Sequence, residues 1–361
     1  MIKKDNKIFY SYIIVVIIFL FITTKYLNLY DIIHIAGQMD VISYTEISRY
    51  APLLPSESDI IIKHIAQRFL IPYLAGLIAY FTGIDLFLIF KFFTYIFVFF
   101  FIFIILFYTE KNNFNIKEKM LFFSLLFLNP YIVRNHIFQP VQAHDMLFFC
   151  LGLIISYLII ANKNKWIIFF GVFPIFLRQT AIAIFVGSLL ILLKNKKFLY
   201  SILLTVFFFL CLKFISQVSN KISIYDFSFK YAYGIINYDF SEIEKLIRFL
   251  CLPLVSFFPL GIFFFSTRRV DIDKKKALIL LFISLMMIAQ PILAGPDGSL
   301  RNVVRISTLC YPIFVSFLFY TFNLNNIFSK NYIYISFLIG LFFWSLHPTF
   351  SIFGFFSILR F

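Results

Sequence analysis

Charged residues are scarce in this chain of 361 residues: they make up 14%, against 61% apolar and 22% aromatic residues. So few charges cannot cover so much apolar surface, which excludes an ordinary soluble domain. Repeated apolar runs close to the length of a bilayer crossing predict an all-α fold, a polytopic helical bundle in a membrane. We expect a single integral membrane domain over residues 1–361.

Several motifs are also missing. The four cysteines lie inside apolar runs and form no CxxC pattern, which argues against a redox or metal role for them. The chain has no GxxxxGKS/T, GxGxxG or HExxH motif, so ATP-driven transport and zinc proteolysis lose support. No internal repeat is visible, which disfavours a secondary transporter built from related halves. No small-residue cleavage site follows the apolar run 8–27, and we interpret that run as an uncleaved first span.

The net charge is +15, and most basic residues lie in short loops between apolar runs. Such loops face the cytoplasm in helical membrane proteins, so the basic excess indicates orientation and not nucleic-acid binding. The N-terminus is then cytoplasmic, with an outer loop over 28–85 and a helical bundle over 86–347. About 11 transmembrane helices are predicted, at 8–27, 86–108, 119–133, 146–161, two within 166–193, 197–215, 248–266, 277–294, 306–322 and 332–347.

Two apolar segments are short for ordinary crossings, which take ~20 residues each. Residues 68–83 begin with Arg68 and contain a proline and a glycine, and we interpret them as a helix in the outer membrane interface. Residues 166–193 predict a short hairpin whose turn lies near Arg178. An alternative topology makes 68–83 a true span and 166–193 a single span; it places five lysines outside, Lys111, Lys117, Lys119, Lys163 and Lys165.

The loop 28–85 is rich in acids, which are Asp31, Asp40, Glu46, Glu57, Asp59 and Asp85. Asp40 lies soon after the first span, in GQMDVISYTEISRY. A carboxylate beside the bilayer is costly unless water or a cation meets it. Asp40 is therefore a candidate general base or cation ligand on the outer face, or else a solvated loop acid. Glu46 and Asp31 are weaker candidates.

Four arginines are candidates for binding an anion. Arg68 opens the interfacial helix, and Arg178 lies in the apolar hairpin sequence FPIFLRQTAI. An arginine in such a place needs a phosphate, a carboxylate or a path to water. Arg301 and Arg305, in GPDGSLRNVVRI, share one face if that segment is helical. Two guanidinium groups on one face suit a phosphate clamp, and they equally suit an anchor to lipid head groups.

Asp145 begins a predicted span in QPVQAHDMLFF, with His144 beside it and His136 upstream. This spacing matches no standard zinc motif, so no metal site is expected here. A second polar wall of the same cavity and a simple helix cap are the two interpretations left open. No cofactor is predicted, although a divalent cation is compatible with the outer acids.

Taken in order, these residues resemble the GT-C class of polytopic glycosyltransferases, which use a polyprenyl-phosphate sugar as donor. GQMDVISY followed by HIAQRFLIPYL is similar to the acidic stretch and the Arg-hydrophobic-hydrophobic-Pro segment of a bacterial subgroup. FLRQTAI is similar to its Leu-x-Arg-Glu/Gln-Thr signature. The resemblance covers about residues 1–190. It implies a GT-C-like fold with interfacial helices in the first outer loop, with Asp40 as catalytic residue, Arg68, Arg178, Arg301 and Arg305 as substrate or phosphate ligands, and Glu46, His144 and Asp145 as a supporting polar wall.

The function expected from this resemblance is sugar transfer at the outer face of a bacterial cytoplasmic membrane. The partners implied are membrane lipid, the polyprenyl-phosphate sugar and a glycan, lipid or protein acceptor, without nucleic acid. Three alternatives stay open: a polysaccharide polymerase acting on a lipid-pyrophosphate oligosaccharide, a flippase or transporter of lipid-linked sugars, and an inactive relative that serves as a partner subunit. Charges along a central path favour a transporter, whereas charges at one face favour a transferase.

Overall fold

The computed structural model describes residues 4–26, 38–224, 243–270, 272–294 and 303–346. Asp31 and Arg301, both singled out in the sequence, lie outside the described residues. The described part of the chain is mainly helical and includes one short antiparallel strand pair, Thr267–Arg268 with Phe322–Asn323.

In chain order the described α-helices are α1 (Lys4–Tyr26), α2 (Gln38–Arg49), α3 (Lys63–Ala66), α4 (Leu70–Thr82), α5 (Leu86–Lys111), α6 (Ile116–Phe127), α7 (Asn135–Phe138), α8 (Ala143–Ile160), α9 (Asn164–Val172), α10 (Ala181–Lys194), α11 (Phe198–Ile222), α12 (Ile243–Phe257), α13 (Lys274–Leu293), α14 (Val303–Thr308), α15 (Tyr311–Thr321) and α16 (Asn331–Ser345). A π-helical turn forms at Pro130–Arg134. Turns of 3-10 helix form at Pro140–Gln142, Phe173–Phe176, Phe258–Phe265 and Ile327–Ser329.

Within the described residues, five helical segments are long and apolar enough to cross a membrane: Asn6–Thr24, Leu86–Lys111, Pro140–Ile160, Phe198–Ile222 and Lys274–Leu293. Four of them expose large apolar side chains, whereas Pro140–Ile160 lies in the interior of the bundle. On α5, Phe99 is 68% exposed and Phe103 63%, whereas Phe101 is fully buried on the opposite face. Water disfavours so large an apolar surface, and lipid does not. The described chain is thus an all-α protein with the surface of a membrane protein, as its composition predicts.

Three spans that the sequence predicts as single helices are each broken into two pieces in the structure. The span 119–133 is interrupted because α6 ends at Phe127 and Pro130 opens the π-helical turn. The segments 248–266 and 306–322 each consist of two helical pieces, with Pro259 or Pro312 in the first turn of the second piece. Proline lacks an amide hydrogen and clashes with the preceding turn, so helices end just before it. Hydropathy alone does not show these breaks.

The hairpin predicted over 166–193 is present as α9, the 3-10 turn after it and α10. Its turn at 177–180 contains the buried Arg178. The loops that flank it meet, because the side-chain amide of Asn195 donates to Asn164 Oδ1 at 2.9 Å. Both loops therefore lie at one end of the bundle, as a hairpin requires.

Residues 68–83 form a short helix. α4 has 13 residues and is ~20 Å long, against ~30 Å of bilayer hydrocarbon. It ends at Gly83, whose left-handed φ of 68° few other residues adopt readily. Asp85 then caps α5 by accepting hydrogen bonds from the amides of Phe87 and Leu88, at 3.0 and 3.1 Å. This acid of the predicted outer loop therefore stabilises a helix terminus.

Polar contacts distinguish the two ends of the bundle. At one end, which we call the basic end, ion pairs join the lysine- and arginine-rich loops: Lys119 with Glu110, Arg269 with Glu118, and Lys194 with Asp273. The helices α8 and α10 both end at the basic end. Asp145 lies at the start of α8 and Arg178 just before the start of α10, so both residues are at the other end of the bundle. α8 has 18 residues, so the two ends are ~27 Å apart. The basic residues of the loops and the candidate site residues therefore lie at opposite ends of the bundle.

The packing of α4 on α2 gives a first prediction. A Cβ atom on Gly76 would lie 1.9 Å from the carbonyl oxygen of Ser48, so Gly76→Ala forces the two helices apart. We expect a loss of stability of about 1–3 kcal/mol, seen as a lower Tm of the detergent-purified protein. Gly340→Ala is the control, because its added Cβ meets nothing within 4 Å and alanine favours a helix interior. Equal stability of Gly76→Ala and the wild type would refute this close contact.

Candidate functional site

The innermost part of the site is an ion pair between Asp145 and Arg178. Arg178 donates through Nε and Nη2 to the two carboxylate oxygens, so the contact is bidentate. The side chains are 0% and 2% exposed. A carboxylate at the start of a helix and an arginine in an apolar hairpin both require a partner when buried. Each is the other's partner here, and the pair fixes α8 to the hairpin.

Two imidazoles flank this carboxylate. His144 Nε2 lies 3.3 Å from Asp145 Oδ1, and His136 Nε2 lies 3.7 Å from Oδ2. The three residues therefore do meet in space, although Arg178 occupies both carboxylate oxygens. Within the described segments, no group of three or more His, Cys, Asp or Glu side chains is placed to hold a metal ion. His144 and Asp145, predicted as a polar wall, thus lie side by side with His136 in a buried polar layer, in which His136 Nε2 and His144 Nδ1 have no hydrogen-bond partner within the described residues.

A second ion pair joins Asp40 to Arg305. Arg305 Nη2 lies 2.8 Å from Asp40 Oδ2, across 265 residues of sequence. Asp40 is in the first turn of α2, and Arg305 is in α14. The two side chains are 15% and 11% exposed, so this outer pair is accessible where the inner pair is closed. The structure thus brings Asp40 and one arginine of GPDGSLRNVVRI together.

Arg305 controls the protonation of Asp40. Burial by itself would raise the pKa of Asp40, but the charge and hydrogen bond of Arg305, with the charges of Arg68 and Arg178, lower it to about 2. The carboxylate is therefore ionised at neutral pH. A carboxylate with so low a pKa is a weak general base for as long as Arg305 stays bound to it.

Arg68 differs from the other two arginines because it donates to neutral groups. Its Nε and Nη2 donate to Gln179 Oε1 at 3.0 and 2.9 Å, and its Nη1 donates to the Tyr44 hydroxyl at 3.2 Å. It has no ion-pair partner among the described residues. Burial, together with repulsion from Arg178, lowers the pKa of Arg68. Because its hydrogen-bond partners are neutral, the charge of Arg68 is available to an anion.

Tyr44 and Gln179 connect these groups, and the sequence does not predict either role. The Tyr44 hydroxyl lies 3.2 Å from His144 Nε2. The Gln179 amide donates to the His64 carbonyl and to Gln67 Oε1, both at 2.7 Å. In the sequence both residues lie close to predicted site residues, Tyr44 within GQMDVISY and Gln179 within FLRQTAI, and this position is the feature that could have indicated their roles. Burial, and next the charge of Arg68, lower the pKa of His64 to about 4, so that imidazole is neutral at pH 7.

Glu46 is not brought into contact with these residues. It is half-buried on α2, six residues beyond Asp40, and a six-residue step leads to a different face of a helix. It forms no ion pair within the described ranges. Arg134, in contrast, is a fully buried arginine that the sequence analysis does not single out. The sequence feature that could have identified Arg134 is its position, as a charged residue at the end of the apolar run that begins with α6.

We call Asp40, Arg68, Asp145, Arg178 and Arg305 the acid–arginine cluster. Three guanidinium groups face two carboxylates, which leaves an excess of one positive charge. The pKa values of Asp40 and Arg68 each depend on the charges of several other members, so the cluster acts as one charged unit. Excess positive charge held largely away from water favours binding of an anion, and guanidinium groups suit phosphate best.

Comparisons with protein-family models, with characterised proteins and with solved structures found no match. The geometry and charge of the acid–arginine cluster therefore carry the functional argument.

The inner ion pair gives a second prediction. Asp145→Asn leaves the Arg178 guanidinium buried without a counter-charge, and we expect it to destabilise the protein by about 3–5 kcal/mol. Thermal unfolding in detergent measures the loss. Lys194→Gln is the matched control at the basic end: Lys194 and its partner Asp273 are 20% and 37% exposed, and loss of this pair should cost less than about 1 kcal/mol. Similar small losses in both variants would contradict a structural role for the inner pair.

Proposed function

We propose that this protein is a membrane glycosyltransferase acting at the outer face of a bacterial cytoplasmic membrane. It moves a sugar from a polyprenyl-phosphate donor to a hydroxyl group of a glycan, lipid or protein acceptor. The observation that carries the proposal is the accessible Asp40–Arg305 pair beside Arg68, in a cluster with excess positive charge. The resemblance of residues 1–190 to the GT-C class supports the same assignment.

The donor suits this site in both of its parts. Its phosphate is anionic, and Arg68 and Arg305 both retain capacity for it: Arg68 is bound to neutral groups, and the buried Nε of Arg305 has no hydrogen-bond partner among the described residues. Its polyprenyl tail is apolar and fits the exposed aromatic and aliphatic surface of helices such as α5.

The reaction is a displacement at the anomeric carbon of the donor sugar. The acceptor oxygen forms a bond to that carbon as the bond from the carbon to the phosphate oxygen breaks. The proton of the acceptor hydroxyl passes to Asp40, and the electron pair leaves with the polyprenyl phosphate. Arg68 and Arg305 stabilise the negative charge that grows on this leaving phosphate.

The outer ion pair adds a control to this mechanism. With Arg305 bound, Asp40 is too weakly basic to accept the proton readily. A donor phosphate that binds Arg305 competes with Asp40 for it. Loss of this partner raises the pKa of Asp40, because burial of the carboxylate is then less compensated. The base becomes active when the donor is in place, which limits futile chemistry.

The position of the charges favours a transferase over a transporter. In the described part of the chain, the buried charged side chains are Lys63, Arg68, Glu118, Lys119, Arg134, Asp145, Arg178 and Lys276. These residues lie near one end of the bundle or the other. A transporter of lipid-linked sugars needs polar groups along its central path. We place the basic end in the cytoplasm and the acid–arginine cluster outside.

Replacement of the proposed base tests this function directly. Asp40→Asn should reduce sugar transfer by ~10²–10⁴-fold, because the general base is lost. The assay uses vesicles reconstituted with the purified protein, polyprenyl-phosphate sugars carrying a labelled sugar, and an acceptor. Glu57→Gln is the control, since Glu57 is exposed and its backbone amide, not its side chain, is bonded to Lys221.

Two outcomes would contradict the proposal. Full transfer activity in folded Asp40→Asn protein removes the carboxylate from the chemistry. Movement of the labelled lipid across the bilayer without sugar transfer identifies a flippase instead.

The role of Arg305 predicts a change in the pH profile. The positive charge of Arg305 lowers the pKa of Asp40, so Arg305→Gln should raise that pKa. A general base is inactive when it is protonated, at a pH below its pKa. The pH dependence of kcat/KM reports the pKa values of the free enzyme, so its acid limb should move to higher pH by roughly one to three units. If Arg305→Gln lowers kcat/KM but leaves the pH midpoint of the acid limb unchanged, Arg305 binds substrate without controlling the pKa of Asp40.

A further inference from the structure

Arg134 is the largest of the fully buried side chains, with 1% of its surface exposed. It lies in the π-helical turn Pro130–Arg134, between the carboxyl-terminal ends of α1 and α16. Its Nη2 donates to Thr23 Oγ1 at 2.9 Å and to Ser345 Oγ at 3.0 Å. Both partners are neutral hydroxyls, one from the first described helix and one from the last.

The remaining donors of this guanidinium have no acceptor. Nε and Nη1 of Arg134 make no hydrogen bond within the described residues, and no carboxylate there lies within ion-pair distance. Two neighbouring buried groups are likewise unbonded, the Thr24 hydroxyl and the Asn135 side-chain amide nitrogen. Burial lowers the pKa of Arg134 only to about 10, so it stays charged at neutral pH. An uncompensated buried charge is among the most costly arrangements in a folded protein.

We propose that Arg134, held in place by Thr23 and Ser345, provides a second anion site, separate from the acid–arginine cluster, which takes the phosphate group of a membrane lipid. Phosphate supplies both the negative charge and several acceptor oxygens for the free N–H groups. The Thr24 hydroxyl and the Asn135 amide, which have no partner within the described residues, are suitable additional donors to its oxygens. This inference does not rest on the proposed glycosyltransferase activity.

The surroundings point to lipid as the source of the phosphate. α1 and α16 pack together through Phe19 and Phe342, whose ring centroids are 4.8 Å apart. Near the site, both helices expose apolar side chains outward, such as Ile22 on α1 and Phe343 on α16. The helix ends that hold Arg134 are therefore bordered by apolar surface that suits lipid. His136, two residues after Arg134, lies 3.7 Å from Asp145, so the second site adjoins the cluster through the inner layer.

Thermal unfolding in lipid nanodiscs tests the site. Wild-type protein should have a higher Tm in discs of phosphatidylglycerol than in discs of a neutral glycolipid without phosphate, by roughly 2–4 °C. Arg134→Met should abolish this difference and should be no less stable than wild type in the glycolipid discs, because it removes an unpaired buried charge. Arg49→Met, which removes an exposed arginine of α2, should keep the full difference.

Inorganic phosphate added to the glycolipid discs separates the two sources of the anion. A rise in Tm that depends on Arg134 identifies free phosphate as a ligand of the same site, whereas a rise with phosphatidylglycerol alone identifies the lipid head group. Both results support the anion site.

Three results would overturn it. Wild-type protein whose Tm is the same in every disc and with phosphate has no such site. A lipid-dependent rise that survives in Arg134→Met places the anion elsewhere. An equal loss of stability of Arg134→Met in all discs shows that the guanidinium is a structural donor to the two hydroxyls.

A second variant keeps the test decisive if Arg134→Met does not fold. Thr23→Val combined with Ser345→Ala retains the guanidinium and removes both of its neutral partners. The phosphate then becomes the main partner of the charge, so the lipid-dependent rise in Tm should be larger than in wild type. A rise of unchanged size would refute contact between the anion and Arg134.

Discussion

The buried ion pair between Asp145 and Arg178 is the constraint on which the site depends. It fixes the turn of the hairpin against the start of α8, and the next residue in that turn is Gln179. Gln179 holds Arg68, and Arg68 in turn holds Tyr44 on α2. The helix that carries the outer carboxylate is thereby positioned from the protein interior by a continuous series of hydrogen bonds. The apolar bundle supplies the frame, but these polar contacts set the position of the reactive groups.

The two ion pairs differ in what they can do. The inner pair is closed to solvent and bidentate, so its geometry is rigid and its rupture is costly. The outer pair is a single contact between partly exposed side chains, and either partner can exchange it for a ligand. A rigid inner layer with an exchangeable outer layer is the arrangement that the proposed anion-binding reaction requires.

The sequence predicts the parts of this structure that follow from local rules. The lengths of apolar runs indicate the all-α class, the short hairpin and the short helix α4. The cost of a charge among apolar residues indicates that Asp40 and Arg178 need partners. Local rules do not identify those partners, because no periodicity relates residues that are 33 or 265 positions apart. The same limit explains why Arg134 escapes notice, and why hydropathy joins helices that prolines divide.

The outer pair also has a consequence for biosynthesis. A membrane chain emerges from the ribosome from its amino terminus, and Arg178 follows Asp145 by only 33 residues, so both partners of the inner pair are synthesised in close succession. Asp40 must wait for 265 further residues before Arg305 exists. Until then its carboxylate stands beside lipid without this counter-ion, and the polypeptide cannot acquire its finished outer site. Maturation of that site is therefore coupled to insertion of α14, and a chain released before Arg305 is made lacks the outer pair.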